Sequence, residues 1–343
     1  MSLEFLQITD PRWVAFISDH PRATIFHHPT WGELLAECYN YHPFAVVLMD
    51  VKGELIGGLP IVKANTHLTG ERVVALPFSD YCPPLTNDGA SLNELIQELQ
   101  VWRRENKCPQ IQIRWPLPEQ DGVYSCEPTA RHTTVLSSHG DELFRSFRKG
   151  VKSSIHQSEK AGVIIKQGDS WTDLQLFYHL HLQTRRRLGT PVQPLRFFQL
   201  LWEKLLSRGL GFLLLGYKDS KLVAGAVFLH WNKTITYKYS ASDSAYLNLR
   251  PNNLVLWHAI QWGCENGYKL FDWGKSEIEN EGLRTFKHGW ASEEKLMHYS
   301  VLADRPPTPS MVGKSRRFLS QIIRHSPPWV CRLIGELFYK YAA

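Results

Sequence analysis

The chain has 343 residues, more than one hydrophobic core usually organises, so two domains are expected. Hydrophobic residues make up 43% of it, including 12 Trp, 13 Tyr and 16 Phe, and this composition excludes an intrinsically disordered protein. The net charge of +6 is modest, and we expect the positive charge to be scattered along the chain. A positive net charge favours anionic partners, and it does not distinguish among phosphates, RNA and lipid headgroups.

The cysteines and the apolar runs place further limits on the class of protein. None of the six cysteines forms a CxxC pair, and no Cys/His cluster has zinc spacing, so free thiols and no metal site are predicted. The first residues, MSLEFLQITDPRW, lack the basic-then-apolar pattern of a secretion signal. Apolar runs such as 210–215 are far shorter than the roughly 20 residues that span a bilayer. We therefore expect a cytoplasmic protein, at most peripheral on the inner membrane.

A stretch of the first half recurs in the second half. AVVLMDVKGELIGGLPIV at 45–62 aligns without a gap with FLLLGYKDSKLVAGAVFL at 212–229, and each reads as a strand, a polar turn and a second strand. Gly58 falls on Gly225, which predicts a bulge or a close backbone approach at both positions. A third strand follows each pair, and two copies of one α/β domain are predicted. Chance similarity between two hairpins is the alternative.

Helical patterns surround the second hairpin. They predict helices over 141–161, 172–188 and 194–207, and a further helix from Asn252 or Asn253, as N-cap, to before Gly267. A short apolar strand over 269–273 follows. Its continuation, a polar stretch over 275–285, is predicted to be a loop that folds over the site as a partial lid.

The last segment is basic and amphipathic. Prolines after Asp304 break the fold, and two short helices over 311–343, separated at Pro327-Pro328, carry a basic and an apolar side. Such helices with Trp commonly lie on anionic bilayers, and docking on their own domain is the alternative. The predicted division is an N-terminal domain (1–135), a C-terminal catalytic domain (136–303) and a linker with a helical tail (304–343).

Several short sequences resemble the FemABX-like branch of the GNAT acyltransferase superfamily, and within it a FemAB-like subgroup associated with bacterial exopolysaccharide gene clusters. They are PFSDYCPPL (77–85), HLQTRRRLGTP (181–191), ITYKYSASD (235–243), LRPNNLVLW (249–257), FDWGKS (271–276) and GLRTFKHGW (282–290). The resemblance implies an α/β fold of tandem GNAT-like domains with mixed sheets. It also implies an enzyme that transfers an acyl or aminoacyl group to an amine of a cell-envelope or exopolysaccharide precursor.

The resemblance assigns Phe286 and Lys287 to the reaction centre. An ammonium beside the donor carbonyl would stabilise the oxyanion of an aminolysis intermediate. A solvated surface charge is the alternative for Lys287. Asp272 is a candidate base or donor-amine contact, and it could equally cap the N–H groups of the residues that follow it.

Other matched residues are candidates for acceptor binding. Strand alternation places Tyr237 and Tyr239 on one face, in the acceptor cleft or as ordinary sheet residues. A phosphate of the acceptor is expected at a family arginine, for which Arg185 and Arg187 are both candidates, although cations also suit a helix C-terminus. The remaining candidates are Arg148 and Lys152, one helical turn apart, and Asp80 in the first domain.

The donor is left open between acyl-CoA and aminoacyl-tRNA, with no bound cofactor and no DNA. Arg250, Asn252 and Asn253 occupy the loop where CoA-dependent relatives bind a pyrophosphate on backbone N–H groups. This loop lacks the glycines of such relatives and gives up one N–H at Pro251, which counts against CoA. Two further functions stay open: a CoA-dependent N-acyltransferase for a soluble amine, and a non-catalytic scaffold at a polysaccharide-assembly complex on the membrane.

Overall fold

The computed structural model describes residues 1–66, 70–138, 140–307 and 312–342. The chain forms two compact units. The first consists of Met1–Thr129 and Leu296–Pro309, and the second of Ala130–Lys295 and Ser310–Ala342. No helix among the described residues is long and apolar enough to cross a membrane.

The first half of the chain contains seven strands and three helices among the described residues. In chain order its elements are β1 (Ser2–Gln7), α1 (Pro11–Asp19), α2 (Pro29–Tyr39), β2 (His42–Met49), β3 (Leu55–Thr66), β4 (Gly70–Ala75), β5 (Leu85–Thr86), α3 (Gly89–Glu105), β6 (Gln110–Ile113) and β7 (Val123–Ser125). Helix α3 packs its apolar residues onto one face of the sheet, while Trp13 and Ile17 of α1 pack onto the other.

The second half also combines strands and helices, and it ends in the two helices of the tail. Its elements are β8 (Thr129–Val135), α4 (Gly140–Ser146), α5 (Lys149–Lys160), β9 (Ile164–Gly168), α6 (Trp171–Leu188), α7 (Leu195–Lys204), β10 (Gly211–Lys218), β11 (Lys221–Trp231), β12 (Thr234–Ser242), a 3-10 turn (Ser244–Leu249), α8 (Pro251–Glu265), β13 (Leu270–Glu277), α9 (Glu281–His288), β14 (Glu293–Met297), β15 (Ser300–Ala303), α10 (Val312–His325) and α11 (Pro328–Phe338).

The two sheets share one connection pattern. In the first, β1 to β4 pair antiparallel in sequence, and α3 then crosses over to β6, which pairs parallel with β4. In the second, β9 to β12 pair antiparallel, and α8 crosses over to β13, parallel with β12. The two hairpins therefore lie in separate sheets of the same topology, which confirms the tandem α/β fold.

The two hairpins share one irregularity, a register shift just before the turn. Counted from this shift, Gly58, opposite Val47, corresponds to Gly225, opposite Leu215, as the sequence alignment predicts. The hairpins differ in the turn, which is one residue shorter in the second and contains two residues at positive φ. The neighbouring Gly57 faces β5. Close backbone approaches are found at all three glycines, as expected from their missing side chains.

Two strands that end at the predicted domain limits, residues 135 and 303, each join the sheet of the other predicted domain. Strand β8 joins the second sheet, between β13 and β14, and β15 joins the first, between β6 and β7. A strand can pair with any sheet edge that offers unpaired N–H and C=O groups. Local sequence patterns do not identify that edge, so they do not predict which sheet a strand joins.

The helix predicted over 141–161 is two helices, α4 and α5. The break falls at Phe147-Arg148, where Phe147 is buried against Trp290 with ring centroids 5.2 Å apart. The Arg148 N–H donates to the carbonyl of Gly289 at 2.9 Å instead of continuing a helical ladder. This contact ties the start of α5 to the end of α9.

The tail helices α10 and α11 dock on α6 through one face. Ile323 and Cys331 are fully buried, and a Cβ on Gly335 would lie 1.8 Å from the carbonyl oxygen of Val192. The Arg186 guanidinium of α6 donates to the Ser326 carbonyl. The side chains of Lys314, Arg316 and Arg317 lie outside the described part of the chain, as do residues 308–311.

We expect Gly58→Ala to destabilise the first unit. The added Cβ would lie 2.7 Å from the Val46 carbonyl oxygen and 3.1 Å from the Trp13 ring, and overpacking of this kind typically costs about 1–3 kcal/mol. Urea unfolding measures the loss. Gly89→Ala is the matched control, because a Cβ there meets nothing within 4 Å. Equal stability of both variants would contradict the close approach at Gly58.

Candidate active site

Strands β12 and β13 separate in the middle of the second sheet. They pair parallel only over Thr234–Thr236 and Leu270–Asp272, and beyond this both strands continue, β12 to Ser242 and β13 to Glu277. Helix α8, which connects them, begins at Pro251. The carboxyl ends of two diverging parallel strands together with a helix N-terminus form a common setting for ligand binding in α/β proteins.

The stretch 271–290 is ordered differently from the prediction. Strand β13 continues to Glu277, a short turn follows, and α9 begins at Glu281 with the Asn280 side chain accepting from the Leu283 N–H at 3.2 Å. The expected lid loop over 275–285 is therefore wrong. Residues 274–277 alternate between buried and more exposed, as in a strand, and the Asn280 cap with Glu281 in the first turn starts a helix.

Lys287 is buried inside the second unit. Only 3% of the residue is exposed, and its Nζ donates to the carbonyl oxygens of Gly274 at 3.1 Å and Lys275 at 3.2 Å. An ammonium removed from water is costly unless hydrogen bonds compensate it, and the two strand carbonyls do so. The alternative of a solvated surface lysine is thereby excluded.

Asp272 holds the strand segment that binds Lys287. Its Oδ1 accepts from the Gly274 N–H at 2.8 Å, and its Oδ2 accepts from Nε and Nη2 of Arg131 at 3.0 and 2.6 Å. Gly274 has φ +67°, a conformation that L side chains rarely adopt, so a glycine is required where its carbonyl turns toward Lys287. These contacts match the capping alternative predicted for Asp272.

A second charged network braces α9. Glu294 of β14 accepts from Nη2 and Nε of Arg284 at 2.6 and 3.1 Å, and its Oε2 lies 2.8 Å from Nε2 of the buried His132. The hydrogen bond from Arg284 lowers the pKa of Glu294. Burial, followed by the nearby charge of Lys287, lowers the pKa of His132, which favours its neutral form.

The sequence analysis missed the partners in both networks. Arg131 and His132 lie on β8, about 140 residues or more before the carboxylates they contact. No spacing rule links positions so far apart. The available signal was the alternation of TARHTTV, which marks a strand with a buried face but does not identify the neighbouring strand.

Aromatic rings form a connected cluster next to Lys287 in the sequence. Phe286 packs edge-on against Trp290 at 6.1 Å between centroids, and Trp290 lies 5.4 Å from Trp273. Tyr237 meets Trp273 edge-on at 6.1 Å. These rings belong to the hydrophobic core of the second unit, in which Lys287 is also buried.

Tyr237 and Tyr239 lie on opposite faces of the sheet, so the prediction that they share a face is wrong. The register between β11 and β12 shifts at Val227/Phe228, where Lys238 is an extra residue. This bulge reverses the alternation. Tyr237 stacks on Phe228 on the α8 side, where burial raises its pKa to about 12. Tyr239 packs against the rings of α6 and α7 on the other side.

A cavity of about 470 Å³ lies where α5, α8 and the end of α9 meet. Its lining brings together predicted donor-binding, acceptor-binding and catalytic residues: Arg148, Arg250, Asn252, Asn253 and Phe286. The N-cap of α8 is Arg250, at φ +57°, with Pro251 as the first helical residue. Asn252 and Asn253 therefore belong to the first turn and are not the caps that were predicted.

The cavity is positively polarised by an unusual pair of caps. Arg148 is the N-cap of α5 and Arg250 that of α8, and neither helix has a side-chain cap hydrogen bond. Within the described residues, neither guanidinium has a hydrogen-bond or ion-pair partner. A cation at a helix N-terminus opposes the helix dipole, so two of them beside one cavity indicate that an anion completes the arrangement.

The other predicted residues make contacts within the protein. Arg185 donates to the Pro191 carbonyl at 3.1 and 3.0 Å, and Lys152 donates to the Arg145 carbonyl at 2.9 Å. Arg187 donates to the Ser242 carbonyl at 3.1 Å, at the carboxyl end of β12. Asp80 belongs to the first unit, where its carbonyl accepts from the Tyr299 hydroxyl at 2.7 Å. The acceptor roles of these four residues stay predictions.

The residues that the structure describes contain no group of three or more His, Cys, Asp or Glu positioned to hold a metal ion. The arrangement offers a buried ammonium, a cluster of aromatic rings and a cavity lined by two arginines. These are suited to a reaction that develops negative charge on a carbonyl oxygen.

We expect Asp272→Asn to lower the free energy of unfolding by roughly 3 kcal/mol, because it leaves the Arg131 guanidinium without its buried partner while retaining an acceptor for Gly274. Asp272→Ala removes both contacts and should cost more. Urea unfolding measures both. Asp219→Asn is the control: its exposed pair with Lys218 should contribute less than about 1 kcal/mol. A neutral Asp272→Asn would contradict the bracing role.

Known proteins resemble this chain along most of its length. A family model described as an acetyltransferase (GNAT) domain matches residues 145–288. The UDP-N-acetylmuramoylpentapeptide-lysine N(6)-alanyltransferase of Weissella viridescens is 26% identical, over 82% of this chain and 90% of the relative. The lipid II:glycine glycyltransferase of Staphylococcus haemolyticus is 19% identical, over 89% of this chain and 94% of the relative.

A solved structure supports the fold. The crystal structure of FemX superposes with a TM-score of 0.69 at 16% identity, covering 88% of this chain and 97% of FemX. The matched GNAT domain contains α5 to α9, and so both Lys287 and the cavity. The resemblance predicted from the sequence is confirmed: the chain is a transferase with a GNAT acyltransferase domain, and it is similar along most of its length to aminoacyltransferases of the FemABX type.

Proposed function

We propose that this enzyme transfers an aminoacyl group to an amine of a cell-envelope precursor. The observation that carries the proposal is the buried Lys287 ammonium, fixed by two carbonyls of β13 where β12 and β13 have separated. The similarity to an alanyltransferase and a glycyltransferase over most of the chain supports aminoacyl transfer in particular.

The reaction requires no covalent intermediate on the protein. The acceptor amine attacks the carbonyl carbon of the donor ester, a C–N bond forms, and the carbonyl oxygen becomes an oxyanion. Collapse of this intermediate breaks the C–O bond, and the proton lost by the amine balances the proton that the leaving hydroxyl takes up. Lys287 stabilises the oxyanion, while the rings of Phe286, Trp290 and Trp273 exclude water and strengthen that interaction.

Asp272 acts in this scheme as a positioning residue. Both of its oxygens are engaged, one by Gly274 and one by Arg131, so it holds the carbonyls to which Lys287 is anchored. Phe286 forms a wall of the pocket. We assign no proton-transfer step to either residue.

We propose an aminoacyl-tRNA as donor. The cavity with Arg148 and Arg250 would take a phosphate of its terminal nucleotides, and backbone N–H groups of the first turn of α8 would contribute. The crowding by Asn252 and Asn253, together with the missing N–H of Pro251, disfavours the close approach of a CoA pyrophosphate. Acyl-CoA is the competing donor.

We propose a lipid-linked or nucleotide-linked glycan peptide as acceptor. The two named relatives act on a muramoylpentapeptide lysine and on lipid II. The residues we propose for acceptor contact are Tyr237, Tyr239, Arg185, Arg187, Lys152 and Asp80. The association with exopolysaccharide stays a prediction. A lipid-linked acceptor would bring the enzyme to the inner face of the membrane as a peripheral protein.

Mass spectrometry of the acceptor tests the proposed function. The protein is incubated with lipid II or a UDP-linked muramoyl pentapeptide, with mixed aminoacyl-tRNAs in one arm and acetyl-CoA in the other. We expect the acceptor to gain the mass of one amino-acid residue in the tRNA arm only. Acetylation alone would favour the CoA-dependent alternative. No product in either arm, or with an amino-sugar glycan lipid, would favour a non-catalytic scaffold.

Lys287→Met deletes the charge and keeps the apolar stem. We expect turnover to fall on the order of 10²–10³-fold, the usual cost of losing one oxyanion-stabilising group. Lys287→Arg should restore little, because a planar fork does not replace a compact ammonium. Single-turnover transfer measures both. Lys295→Met, at an exposed lysine of β14, is the control and should keep full activity. Wild-type turnover in Lys287→Met would refute the mechanism.

Arg148→Gln and Arg250→Gln test the anion cavity. Each should raise the KM for the donor about tenfold or more and leave kcat largely unchanged, because phosphate contacts bind the donor without touching the reacting carbonyl. Arg208→Gln, in a turn after α7, serves as a control of equal charge change. A change in kcat alone would contradict the assignment of this cavity to donor binding.

A further inference from the structure

The tail helices have two faces with different surroundings. One face is pinned to α6 through Ile323, Cys331 and Gly335. Several large apolar side chains outside this contact are exposed, and we call five of them the tail surface: Leu319, Ile322, Trp329, Leu333 and Leu337.

The exposed row on α11 is regular. Trp329 is 64% exposed, Leu333 44% and Leu337 53%, and they follow one another at one-turn spacing. Leu319 and Ile322 of α10 are 36% and 38% exposed and lie three residues apart, beside the buried Ile323. Scattered exposed apolar residues are ordinary, but a row of three along one helix, with two more on the preceding helix, indicates a surface that contacts another apolar phase or partner.

The net positive charge of the chain is concentrated in the same segment. Residues 311–343 contain six basic residues and one acid, Glu336, so they carry +5 of the chain's net charge of +6. The expectation that the positive charge is scattered along the chain is therefore wrong. Among the described side chains, Arg332 flanks the apolar row and pairs with Glu336 at 2.7 Å, and Arg324 and Lys340 are exposed.

We propose that the tail surface binds a bilayer that contains anionic lipids. The combination of a Trp, aliphatic rows and an excess of cations on helices that are already anchored to the fold suits the headgroup–acyl boundary. RNA binding would use the charge but leaves the leucine row unexplained. The inference rests on the proposed function in one respect: an enzyme with a lipid-linked acceptor has to reach the membrane surface.

Vesicle sedimentation of the full-length protein tests the inference. We expect binding to phosphatidylcholine vesicles that contain phosphatidylglycerol, weakened by salt, and little binding to phosphatidylcholine alone. The triple variant Trp329→Ser/Leu333→Ser/Leu337→Ser should bind at least about tenfold more weakly, because three apolar side chains no longer leave water. Arg332→Gln/Lys340→Gln should lose affinity for anionic vesicles several-fold.

Matched controls separate the membrane contact from folding and from catalysis. Leu176→Ser removes an apolar side chain of similar exposure, 45%, on α6 and should leave vesicle binding unchanged. The triple variant should keep its thermal transition and its transfer activity on the soluble UDP-linked acceptor, so a failed transfer assay and a failed vesicle assay are distinct results.

Three outcomes would overturn the proposal. The first is wild-type protein that ignores anionic vesicles. The second is a triple variant that binds vesicles normally and instead loses tRNA binding, which would make the tail surface an RNA contact. The third is a triple variant with unchanged vesicle binding but a lower oligomeric state by sedimentation velocity, which would assign the surface to a second copy of the chain.

Discussion

A buried ammonium held by two strand carbonyls is the contact on which the proposed chemistry depends. Lys287 is 3% exposed and is bound by Gly274 and Lys275, so its charge cannot be dispersed into water. Such a charge has a strong effect on any carbonyl brought beside it. Several features follow from this requirement: the positive φ of Gly274, the carboxylate of Asp272 that fixes it, and the guanidinium of Arg131 that fixes Asp272.

The two copies of the fold differ in the charge at the start of the crossover helix. Both sheets contain four antiparallel strands, a crossover helix and a parallel strand, yet the first places a carboxylate at the start of its crossover helix: Asp88 caps α3 and accepts from the Ser91 N–H at 2.7 Å. The corresponding cap of α8 is Arg250. The protein therefore supplies the anion in the first unit, whereas in the second unit we propose that the donor supplies it.

Local patterns predicted the hairpins and the crossover helix, because alternation and turn residues are properties of neighbouring positions. The family was predicted separately, from the resemblance of short sequences. Local patterns failed where a single inserted residue changes the face of a strand: the extra residue Lys238 moves Tyr239 to the other face from Tyr237. They also could not identify Arg131 or His132, because the partners of β8 are set by sheet pairing over more than 100 residues of chain.

The most direct measurement of the central claim is a crystal structure with a phosphonate analogue of the tetrahedral intermediate, built from an aminoacyl group on a terminal adenosine. The oxygen that stands in for the oxyanion should lie about 2.7–3.1 Å from Nζ of Lys287. The adenosine phosphate should occupy the cavity beside Arg148 and Arg250. Two results would contradict the account. The analogue could bind elsewhere, or its oxygen could lie beyond hydrogen-bond distance of Lys287 while the lysine keeps its bonds to both strand carbonyls.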